Sequence, residues 1–221
     1  MHATEGVILL HGMCRTSASM SKMEAALQSA GYTVLNVDYP SRTASTEKLA
    51  DDTLAKALSA PALASCTRIH FVTHSMGGIL VRSYFSRNAD PRLGRVVMLG
   101  PPNQGSEVVD HLRGLPLFRV INGPAGGELG TAATDMPAKL GPVNFPLGVI
   151  AGDRSINWIN SLMIPGKNDG KVSVERTKVA GITAQAVVHA THPFLMRNTQ
   201  AIRLTILFLE RGSFLNEPTR A

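Results

Sequence analysis

The sequence predicts an α/β architecture with about six mostly parallel strands in one sheet and helices on both faces. Three observations carry that expectation. Apolar residues make up 44% of the 221 positions and charged residues only 17%, which is enough to fill a sizeable core. Short, unbroken apolar runs recur along the chain, as strands buried on both faces require. Segments with helical spacing separate those runs, so each strand is followed by a crossover to a parallel neighbour. The length fits one domain over residues 1–221.

Residues 7–10 form the first apolar run, and residues 20–30 follow as a helix. Met20, Met23, Ala26, Leu27 and Ala30 lie on one face of it, and Gly31 stops it. Residues 33–37 read as the second strand. Ser45 is placed to cap a helix that runs to about residue 60, with Leu49, Thr53, Leu54 and Leu58 on one side and Pro61 beyond. Residues 68–73 are the third strand, 79–87 a helix and 95–99 the fourth strand. Strands five and six fall at 146–151 and 184–189. Residues 194–211 close the chain as a helix, with Gly212 as its stop. Residues 101–145 differ from the rest. They are rich in Gly and Pro, lose periodicity after Arg113, and read as a lid-like or binding-loop excursion over the edge of the sheet.

Parallel sheets of this kind place their sites at the carboxyl ends of the strands. The third strand runs directly into His74-Ser75-Met76-Gly77-Gly78, and a helix follows. A serine on so sharp a strand-to-helix turn has its hydroxyl exposed above the sheet, and the small residues after it permit a strained, closely packed backbone. The helix N-terminus beyond offers unpaired N–H groups and a field that favours an anion. This turn resembles the nucleophile elbow of the α/β-hydrolase family, G-x-S-x-G, with Thr73 in place of the first glycine. The wording around Ser75 is similar to that of bacterial lipases and esterases. The resemblance spans nearly the whole chain and implies a minimal α/β-hydrolase fold without a cap domain of the usual size.

His11-Gly12-Met13, after the first strand, resembles the oxyanion loop of the lipases. The resemblance implies that the backbone N–H groups of Met13 and Met76 would hold the oxyanion, with His11 as a structural hydrogen-bonder below them.

A neutral serine needs a base. Of the seven histidines, His2 lies at the terminus and His70 within a strand. His74 adjoins Ser75 and points elsewhere, and His111 falls in a surface helix. His189 ends the last strand, while His192 occupies the loop beyond it and can reach over the elbow. The run from His192 to Asn198 also resembles the stretch that carries the catalytic histidine in small bacterial esterases. His192 is therefore the favoured base. Two carboxylates can orient it. Asp153 follows the fifth strand, where many α/β-hydrolases keep their acid. Asp169 lies in Asn168-Asp169-Gly170-Lys171-Val172, which resembles the lipase N-D-G-x-V motif and is favoured over Asp153. The order Ser75, Asp169, His192 is that of the family.

The reading that follows is a serine hydrolase cleaving carboxylic esters, an esterase or small lipase acting on a small-molecule or lipid ester. A thioesterase or acyltransferase on the same triad, or a hydrolase-like binding protein without activity, is the alternative. No dinucleotide or nucleotide-phosphate fingerprint occurs, so no cofactor is expected. Two cysteines, Cys14 and Cys66, cannot supply a zinc site and read as free, mostly buried thiols, so no metal is expected. The net charge of +6 comes from scattered residues and only four residues are Tyr or Trp, which argues against nucleic acid. No apolar run reaches membrane-spanning length and no signal peptide is visible at the start, so a soluble protein is expected, cytoplasmic or secreted after loss of a leader.

Overall fold

The computed structural model describes residues 4–155 and 164–215. Six strands form one parallel sheet: β1 (Glu5–Leu10), β2 (Thr33–Val37), β3 (Arg68–His74), β4 (Leu93–Leu99), β5 (Leu147–Gly152) and β6 (Ala184–Val188). Their spatial order is β2-β1-β3-β4-β5-β6, and every pairing is parallel. The chain leaves β1 toward β2 at one edge, then returns to β3 on the other side and marches outward. The direction of winding therefore reverses between β1 and β3. A crevice opens at such a reversal, above the carboxyl ends of the two strands, and both motif turns, at Met13 and Ser75, emerge there.

The unbroken apolar runs reflect burial on both faces. Ile8 and Leu10 face one side, packed with Leu49 and Leu54 of α2 (Thr46–Leu58) and with Ile79 and Leu80 of α3 (Met76–Phe85). Val7 and Leu9 face the other, packed with Met23 and Leu27 of α1 (Ser21–Ser29) and with Ala201 and Phe208 of Thr199–Arg211. The strand alternation thus divides one sequence run between two cores.

The boundaries shift where capping and packing override periodicity. Ser45 caps α2 through its side chain, which accepts a hydrogen bond from the Lys48 amide. The helix expected from residue 79 begins at Met76, because the elbow itself starts it. Gly77 is needed there: a Cβ would stand 2.9 Å from the Leu10 carbonyl oxygen. The final helix starts at Thr199, five residues later than its spacing suggested. His192–Arg197 form a 3-10 turn, and Asn198 caps the helix by accepting from the Ala201 amide at 2.9 Å. Cys66 is buried as expected, whereas Cys14 is exposed, because the turn after β1 lifts it out of the sheet; both are free thiols.

Residues 101–145 hold three short helices, α4 (Glu107–Leu112), α5 (Pro116–Gly127, broken at Gly123) and α6 (Met136–Lys139); Thr199–Arg211 is then α7. Arg82 of α3 fastens this segment. Its buried guanidinium donates to the carbonyls of Asn103, Pro137 and Gly141 and to the Asn103 side chain. Burial lowers its pKa to about 10, which still leaves it charged at neutral pH. None of the described helices is long and apolar enough to cross a membrane.

Candidate active site

Ser75 sits between β3 and α3 with φ 52° and ψ −121°, a conformation that non-glycine residues rarely adopt. The surrounding packing holds the strain. The Ser75 amide donates to the Leu99 carbonyl at 2.9 Å. A Cβ on Gly78 would stand 2.9 Å from the Met98 sulfur. The helix start leaves the Met76 amide without an acceptor inside α3.

The loop after β1 forms a tight turn, in which the Arg15 amide donates to the Gly12 carbonyl at 3.3 Å and Cys14 takes φ 56°. A Cβ on Gly12 would lie 3.2 Å from the Ser75 Cβ, so glycine lets the Gly12–Met13 peptide come up against the serine. His11 anchors this turn from beneath. It stacks on Tyr39, whose hydroxyl donates to the His11 carbonyl at 2.6 Å. Burial lowers the His11 pKa, chiefly by desolvation, so the ring is neutral.

Asp169 and His192 converge on Ser75 from the loops that follow β5 and β6 at the same end of the sheet. The His192 Nε2 accepts from the Ser75 hydroxyl at 3.0 Å, and its Nδ1–H donates to Asp169 Oδ2 at 2.7 Å. The other Asp169 oxygen, Oδ1, accepts from the amides of Lys171 and Val172 at 3.0 and 2.9 Å. The His192 amide donates to the Asp169 carbonyl, which fixes the two backbones together. His192 and Asp169 are both buried, and Ser75 is half-buried. The imidazole is therefore held in the tautomer whose free lone pair faces the hydroxyl.

Asp153, the alternative acid, lies elsewhere: its Oδ1 accepts from His189 Nδ1 at 2.9 Å in an exposed pair. His2 falls outside the described residues. Three residues to which the sequence analysis gave no role support the site. His74 does point away from the serine hydroxyl, and its Nε2–H donates to the His192 carbonyl at 2.9 Å. Desolvation first, and then the neighbouring His192, hold its pKa well below the ordinary value. Gly100, at φ 55°, leaves room where a Cβ would stand 3.0 Å from Asp169 Oδ2 and 3.2 Å from His192 Nδ1. Its place after β4 and before two prolines was the available signal. Arg82 is the third, because it ties the 101–145 segment to the helix behind Ser75.

That segment meets the crevice directly. The Cys14 thiol donates to the Ile121 carbonyl at 3.3 Å, as does Arg42 Nη1. Cys14–Thr16 and Asp38–Thr43 line an adjoining cleft of about 600 Å³. The run 101–106 serves structure: Asn103 accepts from Arg82, and Ser106 donates to the Lys171 carbonyl at 2.8 Å.

Residues 7–202 match the profile described as the alpha/beta hydrolase family. Among solved structures, the chain is similar to a Bacillus licheniformis lipase in its mature form, with 18% identity, coverage of 95% of this chain and 93% of that one, and a TM-score of 0.75. A lipase-esterase related protein from Clostridium acetobutylicum matches at 15% identity over 94% and 95% of the two chains, with a TM-score of 0.62. A thermophilic esterase from Thermogutta terrifontis matches at 16% identity over 95% and 91%, with a TM-score of 0.63. No curated protein matches the chain in sequence.

Proposed function

The chain belongs to the alpha/beta hydrolase family, and on that premise we propose that it is a serine hydrolase cleaving carboxylic esters through an acyl-serine intermediate. The observation that carries this reading is the continuous hydrogen-bond chain from Ser75 Oγ through His192 to Asp169, beside a strained elbow. His192 Nε2 takes the hydroxyl proton as Ser75 Oγ attacks the ester carbonyl. Asp169 stabilises the imidazolium that forms. The amides of Met13 and Met76 hold the negative oxygen, each worth about 3–4 kcal/mol in the transition state. His192 then gives its proton to the leaving alcohol. Water repeats the sequence on the acyl-serine, releasing the acid and restoring the hydroxyl. Residues 101–145 act as a small cover over the crevice, tied to the oxyanion turn through Ile121. The substrate is a small-molecule or lipid ester that reaches the site from solvent or from a surface, with no nucleic acid and no integral membrane contact.

Ser75→Ala tests the reading. Turnover of 4-nitrophenyl butyrate is expected to fall about 10⁴-fold or more while the fold persists. Wild-type protein is expected to label with a fluorophosphonate at Ser75. Normal turnover in the alanine variant, or no labelling of the wild type, removes the proposal and leaves a binding protein on a hydrolase scaffold.

A further inference from the structure

His74 ends β3, adjoins Ser75 in the chain and is almost wholly buried. Its ring meets two further parts of the proposed machinery. On one side its Nε2–H donates to the His192 carbonyl at 2.9 Å, and the two imidazoles pack with centroids 4.8 Å apart. On the other side lies Gly12 of the oxyanion turn, where a Cβ would stand 2.6 Å from His74 Nδ1 and 3.2 Å from its Cε1. Only glycine lets the turn come this close to the ring.

The His192 backbone is held at both of its polar groups. Its amide donates to the Asp169 carbonyl, and its carbonyl accepts from His74. The first bond joins base to acid. The second joins base to elbow, because His74 and Ser75 share a peptide bond. Packing alone gives no reason for an imidazole at this place. A phenyl ring would fill a similar volume and leave no polar atom behind, whereas His74 Nδ1 is buried with no hydrogen-bond partner. Leaving that nitrogen unpaired costs stability, and the donor on the opposite ring atom offsets it. A second proton, on Nδ1, would point at Gly12 and find no acceptor. Burial first, and then the neighbouring His192, hold the ring's pKa well below the ordinary value and keep it neutral.

We propose that His74 is a positioning residue of the reaction: one ring sets both His192 and the oxyanion turn at Gly12–Met13 in register with Ser75. This inference rests on the ester-hydrolase reading and deepens it. His74 acts through its neighbours, since its donor is spent on a backbone carbonyl and its other ring nitrogen faces the turn. Proton transfer and oxyanion binding both depend on distances to the same serine, and a displacement of about 1 Å costs up to about a hundredfold in rate.

Three variants separate this role from packing. His74→Phe fills the space and lacks the donor. His74→Gln carries an amide N–H at the reach of Nε2, and His74→Asn carries one only at the reach of Nδ1. On 4-nitrophenyl butyrate, kcat is expected to fall about 10–100-fold in the Phe and Asn variants, with KM within about twofold, and to stay within about threefold of wild type in the Gln variant. Affinity for butylboronic acid, which forms a tetrahedral adduct on a reactive serine, should weaken in the Phe and Asn variants in parallel with kcat/KM and be retained in the Gln variant, while inhibition by butyrate stays unchanged. Urea midpoints read the fold separately, and the Gln and Asn variants should differ far more in kcat than in midpoint. A Phe variant whose kcat stays within about threefold of wild type overturns the proposal, as do Gln and Asn variants that lose kcat alike, and either result leaves the ester-hydrolase reading standing. Where the Phe variant does not fold, the comparison of Gln with Asn decides. A wild-type chain that neither turns over the ester nor labels with fluorophosphonate overturns both.

Discussion

Two histidine–aspartate pairs lie side by side at the carboxyl edge of the sheet, and their hydrogen bonds are nearly alike. His192 Nδ1 meets Asp169 at 2.7 Å, and His189 Nδ1 meets Asp153 at 2.9 Å. Their surroundings separate them. The first pair has side-chain exposures of 5% and 1%, the second 73% and 24%. Among the described residues, only the first has a third side-chain partner, the Ser75 hydroxyl on Nε2. Three residues make the difference. His189 leaves β6 at its open rim, whereas a turn closed by the Ala190 amide on the Val188 carbonyl, and then the 3-10 turn from His192, fold the chain back over the elbow. A short His–Asp contact therefore does not by itself mark a catalytic pair. Burial and a nucleophile on the other ring nitrogen give it chemical meaning.

The comparison breaks most sharply at its acids. Asp169→Asn is expected to lower kcat on 4-nitrophenyl butyrate by about 10³–10⁴-fold, because an amide no longer selects the required tautomer or stabilises the imidazolium. A loss below tenfold would remove Asp169 from the role. Next in size is Gly100→Ala. Its added carbon meets Leu195 at 2.8 Å as well as both members of the buried pair, at a backbone φ that favours glycine. We expect a loss of about 1–3 kcal/mol in stability, and about a tenfold fall in kcat as the imidazole shifts. Chemical denaturation and steady-state assays read the two effects separately.

Acid sharpens the contrast further, since the buried pair is backed by a buried neutral imidazole. His74, His11 and His70 all have pKa values lowered from the ordinary 6.5, each chiefly by desolvation. Below that pH the unfolded chain takes up protons that the folded chain refuses, so stability falls as pH drops. The urea midpoint is expected to be highest at or above neutrality and to decline between about pH 6.5 and 5. His74→Asn should make that decline shallower. A midpoint that stays flat over the interval would mean that these rings titrate normally in the folded state.

Much of this arrangement was legible in the sequence, for reasons that can be located. Val7–Leu10 and the core of β3 read as strands because both faces are buried, leaving no polar alternation to blur them. Ser75, Asp169 and His192 each stand in a short turn marked by Gly or Pro, where local chemistry fixes the backbone. The illegible parts depend on distant partners. His74 meets His192 across 118 positions, and Arg82 reaches carbonyls up to 59 positions away. The 3-10 turn at His192–Arg197 looked helical because its apolar spacing matched α7; the break lies in Pro193 and the Asn198 cap. In 101–145 short helices are interrupted by Gly123 and Pro124, so no period runs long enough to read.

The smallest expected effect decides the comparison most directly. Asp153→Asn and His189→Gln remove the exposed pair, one partner at a time. Two solvent-screened side chains gain little from each other, since water solvates each almost as well when they part. Stability should change by no more than about 0.5 kcal/mol. The kcat on 4-nitrophenyl butyrate should stay within about twofold, because neither residue reaches Ser75 and only the buried pair carries the tautomer on which the hydroxyl depends. If Asp153→Asn instead lowered kcat as far as Asp169→Asn, burial and the third partner would not be what separates the two pairs. The acid would then have to swing from the rim to His192 during turnover, and His189→Gln, by freeing Asp153, would raise the rate rather than leave it unchanged.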